Sequence, residues 1–142
     1  MKNLQKEYGL YINGKWQPAS DGVTFKTYSP ATGEELAVCA EATREDVDAA
    51  VKAAHAAWES WKNTTPVERA VILNKIADII DANAQHLAEV ESLDNGKPIR
   101  ETSMIDIPMS ADHFRYFAAA IRTEEGTATM LDNNTLSLVL HE

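Results

Sequence analysis

One thiol, Cys39, and four histidines, His55, His86, His113 and His141, are the most obvious candidates for a nucleophile, a base or a soft metal ligand in this 142-residue chain. A thiol becomes a useful nucleophile when a helix N-terminus or a basic neighbour stabilises the thiolate. Cys39 has neither: it lies in the predicted strand Leu36 to Ala40 and reads as structural. The histidines are scattered, with no two spaced i, i+4, and Cys39 has no second cysteine. A zinc-type site needs clustered ligands, so none is expected. Ser60, Ser92, Ser103 and Ser110 lack a nucleophile-elbow motif, and the glycines form neither a GxGxxG nor a Walker pattern. Glu91 with Asp94, and Asp106 with Asp112, are carboxylate pairs of the kind that helices of an acidic chain offer by chance.

One stretch is sharper. Leu93-Asp94-Asn95-Gly96-Lys97-Pro98 carries two side chains that bond their own backbone, a glycine that tolerates a left-handed turn, and a proline that restarts the chain. It reads first as a connector between helices. Asp94 could in addition hold a cation or anchor a neighbouring loop.

Twenty-two acidic residues against thirteen basic ones leave a formal charge of -9, with no Lys/Arg cluster. Such a surface repels phosphate backbones and anionic membranes, which argues against nucleic-acid and membrane partners. No stretch has the ~18–20 apolar residues of a spanning helix, and the opening Met1 to Leu10 lacks the apolar run of a signal peptide. The cytoplasm is the expected location.

The elements that would position these residues follow from periodicity. Asn13-Gly14, between Leu10 to Ile12 and Lys15 to Trp16, predicts a tight hairpin. Val23 to Tyr28 and Glu35 to Cys39 read as strands around the turn Ser29 to Gly33, so antiparallel ribbons fill the first forty residues. Thr43 caps a helix with Asp46 three residues on, and Val47, Ala50, Val51, Ala54, Trp58 and Trp61 form an apolar stripe expected to pack into a core. Thr65-Pro66-Val67-Glu68 starts a second helix with the stripe Ala70, Leu73, Ile76, Ala77 and Ile80. Asn83 is expected to cap a third helix ending near Leu93. A fourth opens after Pro98, with a kink or break at Pro108 and an end at Gly126. Thr127 to Asn134 reads as polar loop, and Leu136 to His141 as a strand without a hairpin partner beside it.

With these pieces in order, the chain resembles the NAD(P)-dependent aldehyde dehydrogenase family. The resemblance is carried by Tyr11-Ile12-Asn13-Gly14-Lys15-Trp16, by Ser29-Pro30-Ala31-Thr32-Gly33-Glu34, and by Asp46-Val47-Asp48-Ala49-Ala50-Val51. It is carried also by Glu91-Ser92-Leu93-Asp94-Asn95-Gly96-Lys97-Pro98 and by Phe114-Arg115-Tyr116-Phe117-Ala118. Ser29 departs from the family's asparagine before the proline. The match extends along nearly all of the chain but corresponds only to the first quarter of a family member.

The resemblance implies an α/β fold: an N-terminal fragment of the aldehyde dehydrogenase architecture, helix-rich, with short antiparallel hairpins and a C-terminal strand. Residues 1–134 would be hairpins and outer helices of the cofactor-binding domain, and 135–142 the start of the oligomerisation strand. The whole enzyme would oxidise an aldehyde to a carboxylic acid with NAD or NADP and assemble as a homo-oligomer. The catalytic cysteine, general base and cofactor-binding residues lie downstream in the family, so no catalytic or cofactor-binding residue is expected here, no cofactor is expected for this chain alone, and the chain alone should be inactive. Two minor roles are implied. Thr27 and Tyr28, through their carbonyls, and Asp94, through its carboxylate, stand where some relatives bind a monovalent cation. Met109 stands where some relatives line the substrate tunnel. The alternative is a free-standing interaction or oligomerisation module that kept only the scaffold.

Overall fold

The computed structural model describes residues 4–140. The first hairpin pairs β2 (Leu10–Ile12) with β3 (Lys15–Gln17). Its two turn residues, Asn13 and Gly14, have φ of 51° and 76°. Positive φ at both positions makes the type I′ turn, whose twist matches that of paired strands. The rings of Tyr11 and Trp16 meet across this hairpin with centroids 5.0 Å apart.

The second ribbon pairs β4 (Thr24–Tyr28) antiparallel with β5 (Glu35–Ala40), with a register shift between Thr27 and Tyr28. Its connection is held by Ser29 N–H to the Glu34 carbonyl and by Gly33 N–H to the Ser29 carbonyl. The ribbon is not purely antiparallel. A short strand, β1 (Glu7–Tyr8), adds to β5 in parallel, which the expectation of hairpins alone did not include. A parallel partner comes from a segment distant in sequence, so no turn motif announces it.

Four helical regions follow. Helix α1 (Arg44–Trp61) and helix α2 (Pro66–Ala82) both begin with complete capping boxes, Thr43 with Asp46 and Thr65 with Glu68. Helix α3 (Ala84–Asn95) starts at Asn83, but not because Asn83 caps it: its side-chain amide donates back to the Ile79 carbonyl of α2. Helix α3 ends at Gly96, left-handed with φ 79°.

The last helical region does not break at Pro108. A short turn, α4 (Ile99–Glu101), runs through a π-helical turn, Thr102–Asp106, into α5 (Ile107–Ala120). Proline has no N–H to give to the preceding turn and crowds the carbonyl there. The wider π turn, with Ile107 N–H reaching back to the Thr102 carbonyl, sits just before Pro108 and leaves it in the first turn of α5. The helix ends at Ala120 and not at Gly126.

Residues 127–134 are not all loop. Thr127–Met130 is a strand, β6, paired antiparallel with β7 (Leu136–Val139), so the final strand does have a hairpin partner. Alternation was obscured in β6 by its polar threonines, and the strand needs no apolar face because it is exposed throughout. His141, the predicted end of the last strand, lies outside the described residues.

The core is small-residue packing. Ala19, Ala37, Ala70, Ala77, Ala88, Ala111 and Ala118 are the buried apolar residues among those described. Helix α2 packs chiefly on α5, and α3 on the π turn. The expected core stripe of α1 is not covered: Val47, Val51, Trp58 and Trp61 are all exposed. The total accessible surface is 10942 Å². A compact monomer of this length exposes about 7,300 Å². Large apolar side chains left open on helices and hairpins, such as Val47, Trp16 and Leu138, contribute to the excess.

Candidate functional site

The connector after α3 is held by its own side chains. The Asn95 side-chain oxygen accepts from Lys97 N–H at 2.7 Å, its amide donates to Glu91, and Ser92 donates to the Lys97 carbonyl. Lys97 Nζ reaches Asp106 in the π turn at 2.7 Å, a contact that raises the Lys97 pKa. Glu91 and Asp106, two of the suggested carboxylates, are therefore occupied in holding the loop. A Cβ on Gly96 would lie 3.0 Å from Pro30 Cγ, so the missing side chain lets the Ser29–Glu34 turn seat against the connector. Two of the five sequence stretches that carry the resemblance thus touch in space.

Beside them, Thr27 and Asp94 line one cavity of about 210 Å³ between the β1-β5-β4 sheet and α3. Leu36, Cys39, Val90 and Leu93 share that lining, which is largely apolar. Tyr28 does not line it and its side chain is exposed. Asp94 forms no ion pair among the described residues. Met109 lies elsewhere, exposed in the first turn of α5. The structure brings Thr27 and Asp94 together and keeps Met109 apart.

Among the described residues no three His, Cys, Asp or Glu side chains converge to hold a metal ion. His55, His86 and His113 are exposed on separate helices, and Cys39 is a half-buried free thiol. Dinucleotide phosphates dock on helix N-termini whose N–H groups are free. Here α1 and α2 close theirs with their own carboxylates, Asp46 and Glu68. Neither of these two helix starts is open to a phosphate.

Two contacts went unread in the sequence. Asp46 is buried, and its Oδ2 accepts from Thr43 N–H at 3.0 Å, Ser20 N–H at 3.1 Å and the hydroxyls of both residues. The Thr43 and Ser20 backbone bonds hold the Asp46 carboxyl below its ordinary pKa. The capping box was legible; the loop serine that joins it comes from 26 residues away. Thr102, fully buried in the π turn, donates to the Ala88 carbonyl of α3 at 3.0 Å. Pro108 inside an apolar periodicity was the available signal for that turn.

With this geometry in hand, similarity to known proteins is informative. Residues 16–142 match the aldehyde dehydrogenase family. An aldehyde dehydrogenase of Rhodospirillum rubrum is 49% identical over 139 residues, covering 98% of this chain and 28% of the relative. Acetaldehyde dehydrogenase 2 of Cupriavidus necator is 46% identical over 138 residues, covering 97% of this chain and 27% of the relative. The NAD+ complex of an aldehyde dehydrogenase from Bacillus cereus superposes on 92% of this chain with a TM-score of 0.86 at 42% identity, over 27% of its own length. The chain therefore spans little more than a quarter of the length of these relatives. No helix among the described residues is long and apolar enough to cross a membrane. On the match of 16–142 and the shared fold, this chain belongs to the aldehyde dehydrogenase family.

Proposed function

We propose that this chain forms the N-terminal scaffold of an enzyme that oxidises an aldehyde to a carboxylic acid with NAD+ or NADP+, and that the 142 residues alone do not turn over. The observation that carries this reading is 49% identity along 98% of the chain to an aldehyde dehydrogenase of which it spans 28%. In this reading residues 1–134 belong to the cofactor-binding domain and 135–142 begin the oligomerisation strand, in a homo-oligomer. The proposed setting is the cytoplasm, where a lone thiol such as Cys39 stays reduced.

The same reading gives Thr27 and Tyr28 carbonyls and the Asp94 carboxylate a monovalent cation, with other ligands from outside these residues. It is supported by the cavity that Thr27 and Asp94 share and by the irregular ladder between Thr27 and Tyr28. Oxygen donors suit a hard cation. Met109 would border the substrate tunnel, and its exposure supports a role in contact with other parts of the enzyme.

The test has two arms. The purified chain, given NAD+ or NADP+ and a panel of aldehydes, should leave the NAD(P)H absorbance at the no-protein rate; turnover would overturn the claim of inactivity. Substituted for the segment it matches in the Rhodospirillum rubrum relative, the chain should give a soluble enzyme that oxidises aldehydes. A folded, inactive chimera would overturn the scaffold reading.

A second reading, an interaction or oligomerisation module, is favoured by the β6–β7 hairpin, where Leu136, Leu138 and Leu140 are exposed. Sheet edges with apolar side chains invite pairing. A monomer by light scattering at micromolar concentration would remove it.

A further inference from the structure

We propose that Asn13 is the chain's site of spontaneous deamidation, and that the fold protects the second Asn-Gly pair and the one Asp-Gly pair from the same chemistry. The reaction needs the backbone nitrogen of the following residue as nucleophile. Glycine favours it because nothing branches next to that nitrogen. The pairs are Asn13-Gly14, Asn95-Gly96 and Asp21-Gly22.

The fold separates them. Gly96 N–H is committed to the Ser92 carbonyl at 3.1 Å, and the Asn95 side chain is held at both ends by Glu91 and Lys97. Gly22 N–H is committed to the Ala19 carbonyl at 2.9 Å, and Asp21 accepts from Val23 N–H at 2.9 Å. Asn13-Gly14 is the exposed tip of the first hairpin. Ladder pairing ends at Ile12 and Lys15, so Gly14 N–H lies beyond it, and a Cβ on Gly14 would meet nothing within 4 Å.

At this tip a base, water or hydroxide, takes the Gly14 N–H proton. The nitrogen attacks Asn13 Cγ, the new C–N bond forms, the Cγ–Nδ2 bond breaks, and ammonia leaves. The five-membered imide then takes up water at either carbonyl. It opens to aspartate or, with one extra atom in the main chain, to isoaspartate. The net change is asparagine plus water to an acid plus ammonia, with no oxidant or enzyme. Isoaspartate would disturb the two-residue turn that sets the Ile12 to Lys15 register, and with it the Tyr11–Trp16 ring contact.

The experiment ages the full chain in mildly alkaline buffer and follows tryptic peptides by mass, with isoaspartyl methyltransferase labelling. Peptide 7–15 reports Asn13 and peptide 76–100 reports Asn95. Asn13 should convert roughly tenfold faster than Asn95, the ratio given by about 1.4 kcal/mol for opening one backbone hydrogen bond. In strong denaturant the two rates should converge. Equal rates in native buffer, or Asn95 converting first, would overturn the proposal. So would a gap that persists in denaturant, because the cause would then be local sequence and not the fold.

Discussion

Helices α1 and α2 begin alike and end differently. Each opens with a threonine cap closed by a carboxylate three residues on, each runs for about five turns, and each carries an apolar stripe. Yet α2 buries Ala70 and Ala77 at 4% and 0% exposure against α5 and its neighbours, while α1 leaves Val47 and Val51 53% and 51% exposed. Helix α1 has β2 as its principal neighbour and is pinned at its N-terminus through Asp46 and Ser20. Periodicity tells which face of a helix is apolar. Whether that face is covered depends on a partner surface, and α1, held by its cap and one short strand, leaves the face open.

The sharpest way to break this contrast is to enlarge the seam that α2 has and α1 lacks. Ala77→Leu should cost about 2 kcal/mol by overpacking, read as a lower urea midpoint. An unmoved midpoint would show that α2 and α5 are not in close contact.

The caps come next. Thr43→Ala should cost about 1 kcal/mol, as should Thr65→Ala, with the former at the upper end because it also frees the Ser20 loop. The carboxylates of both boxes are held below their ordinary pKa by threonine backbone bonds, with Ser20 adding to the effect on Asp46. A depressed folded pKa gives stability that is complete above the unfolded carboxyl value and lost as pH falls through the folded one. Acid titration should therefore weaken wild type in that window, and Asp46→Asn should flatten its share of the profile. An unchanged profile would remove Asp46 from the account.

Smaller still is Arg115, which bridges Asp78 at 2.9 Å and Asp81 at 2.7 Å from α5 to α2. These exposed pairs should contribute only a small, salt-screened amount to stability. Arg115→Met should lose that amount in dilute buffer and nothing at high salt; a loss that salt does not erase would point to packing. Least of all, Val47→Ser with Val51→Ser should change stability by no more than about 0.5 kcal/mol, read as a nearly unmoved urea midpoint. A loss near that of Ala77→Leu would mean that the α1 face is covered after all.

Much of this was legible because its causes are local. The Asn13-Gly14 turn, both capping boxes and the Gly96 stop depend on residues within a few positions, and each stands where the sequence put it. The parallel pairing of β1 with β5, the Ser20–Asp46 contact and the exposure of the α1 stripe depend on what meets what over long separations, where one-dimensional patterns are silent. Strand β6 was missed because Thr127 and Thr129 resemble loop, and a ribbon that buries nothing leaves no alternation to read. Of the suggested site, Thr27 and Asp94 converge on one cavity because the Ser29–Glu34 turn and the Gly96 connector seat together. Met109 was suggested by resemblance alone, and no local geometry joins it to the others.

The π turn has a consequence for every residue after it. Nine residues separate Thr102 from Ala111, and on an unbroken α-helix they would stand roughly 180° apart on the helical wheel. Absorbing one surplus residue brings that angle to roughly 80°. Thr102, Ala111 and Ala118, at 0%, 1% and 2% exposure, can then all turn inward from one rod. The wide turn works as a phase corrector: it lets a single helix serve α3 with its first turns and α2 with its last, and removing its extra residue would aim one of the two inward faces at water.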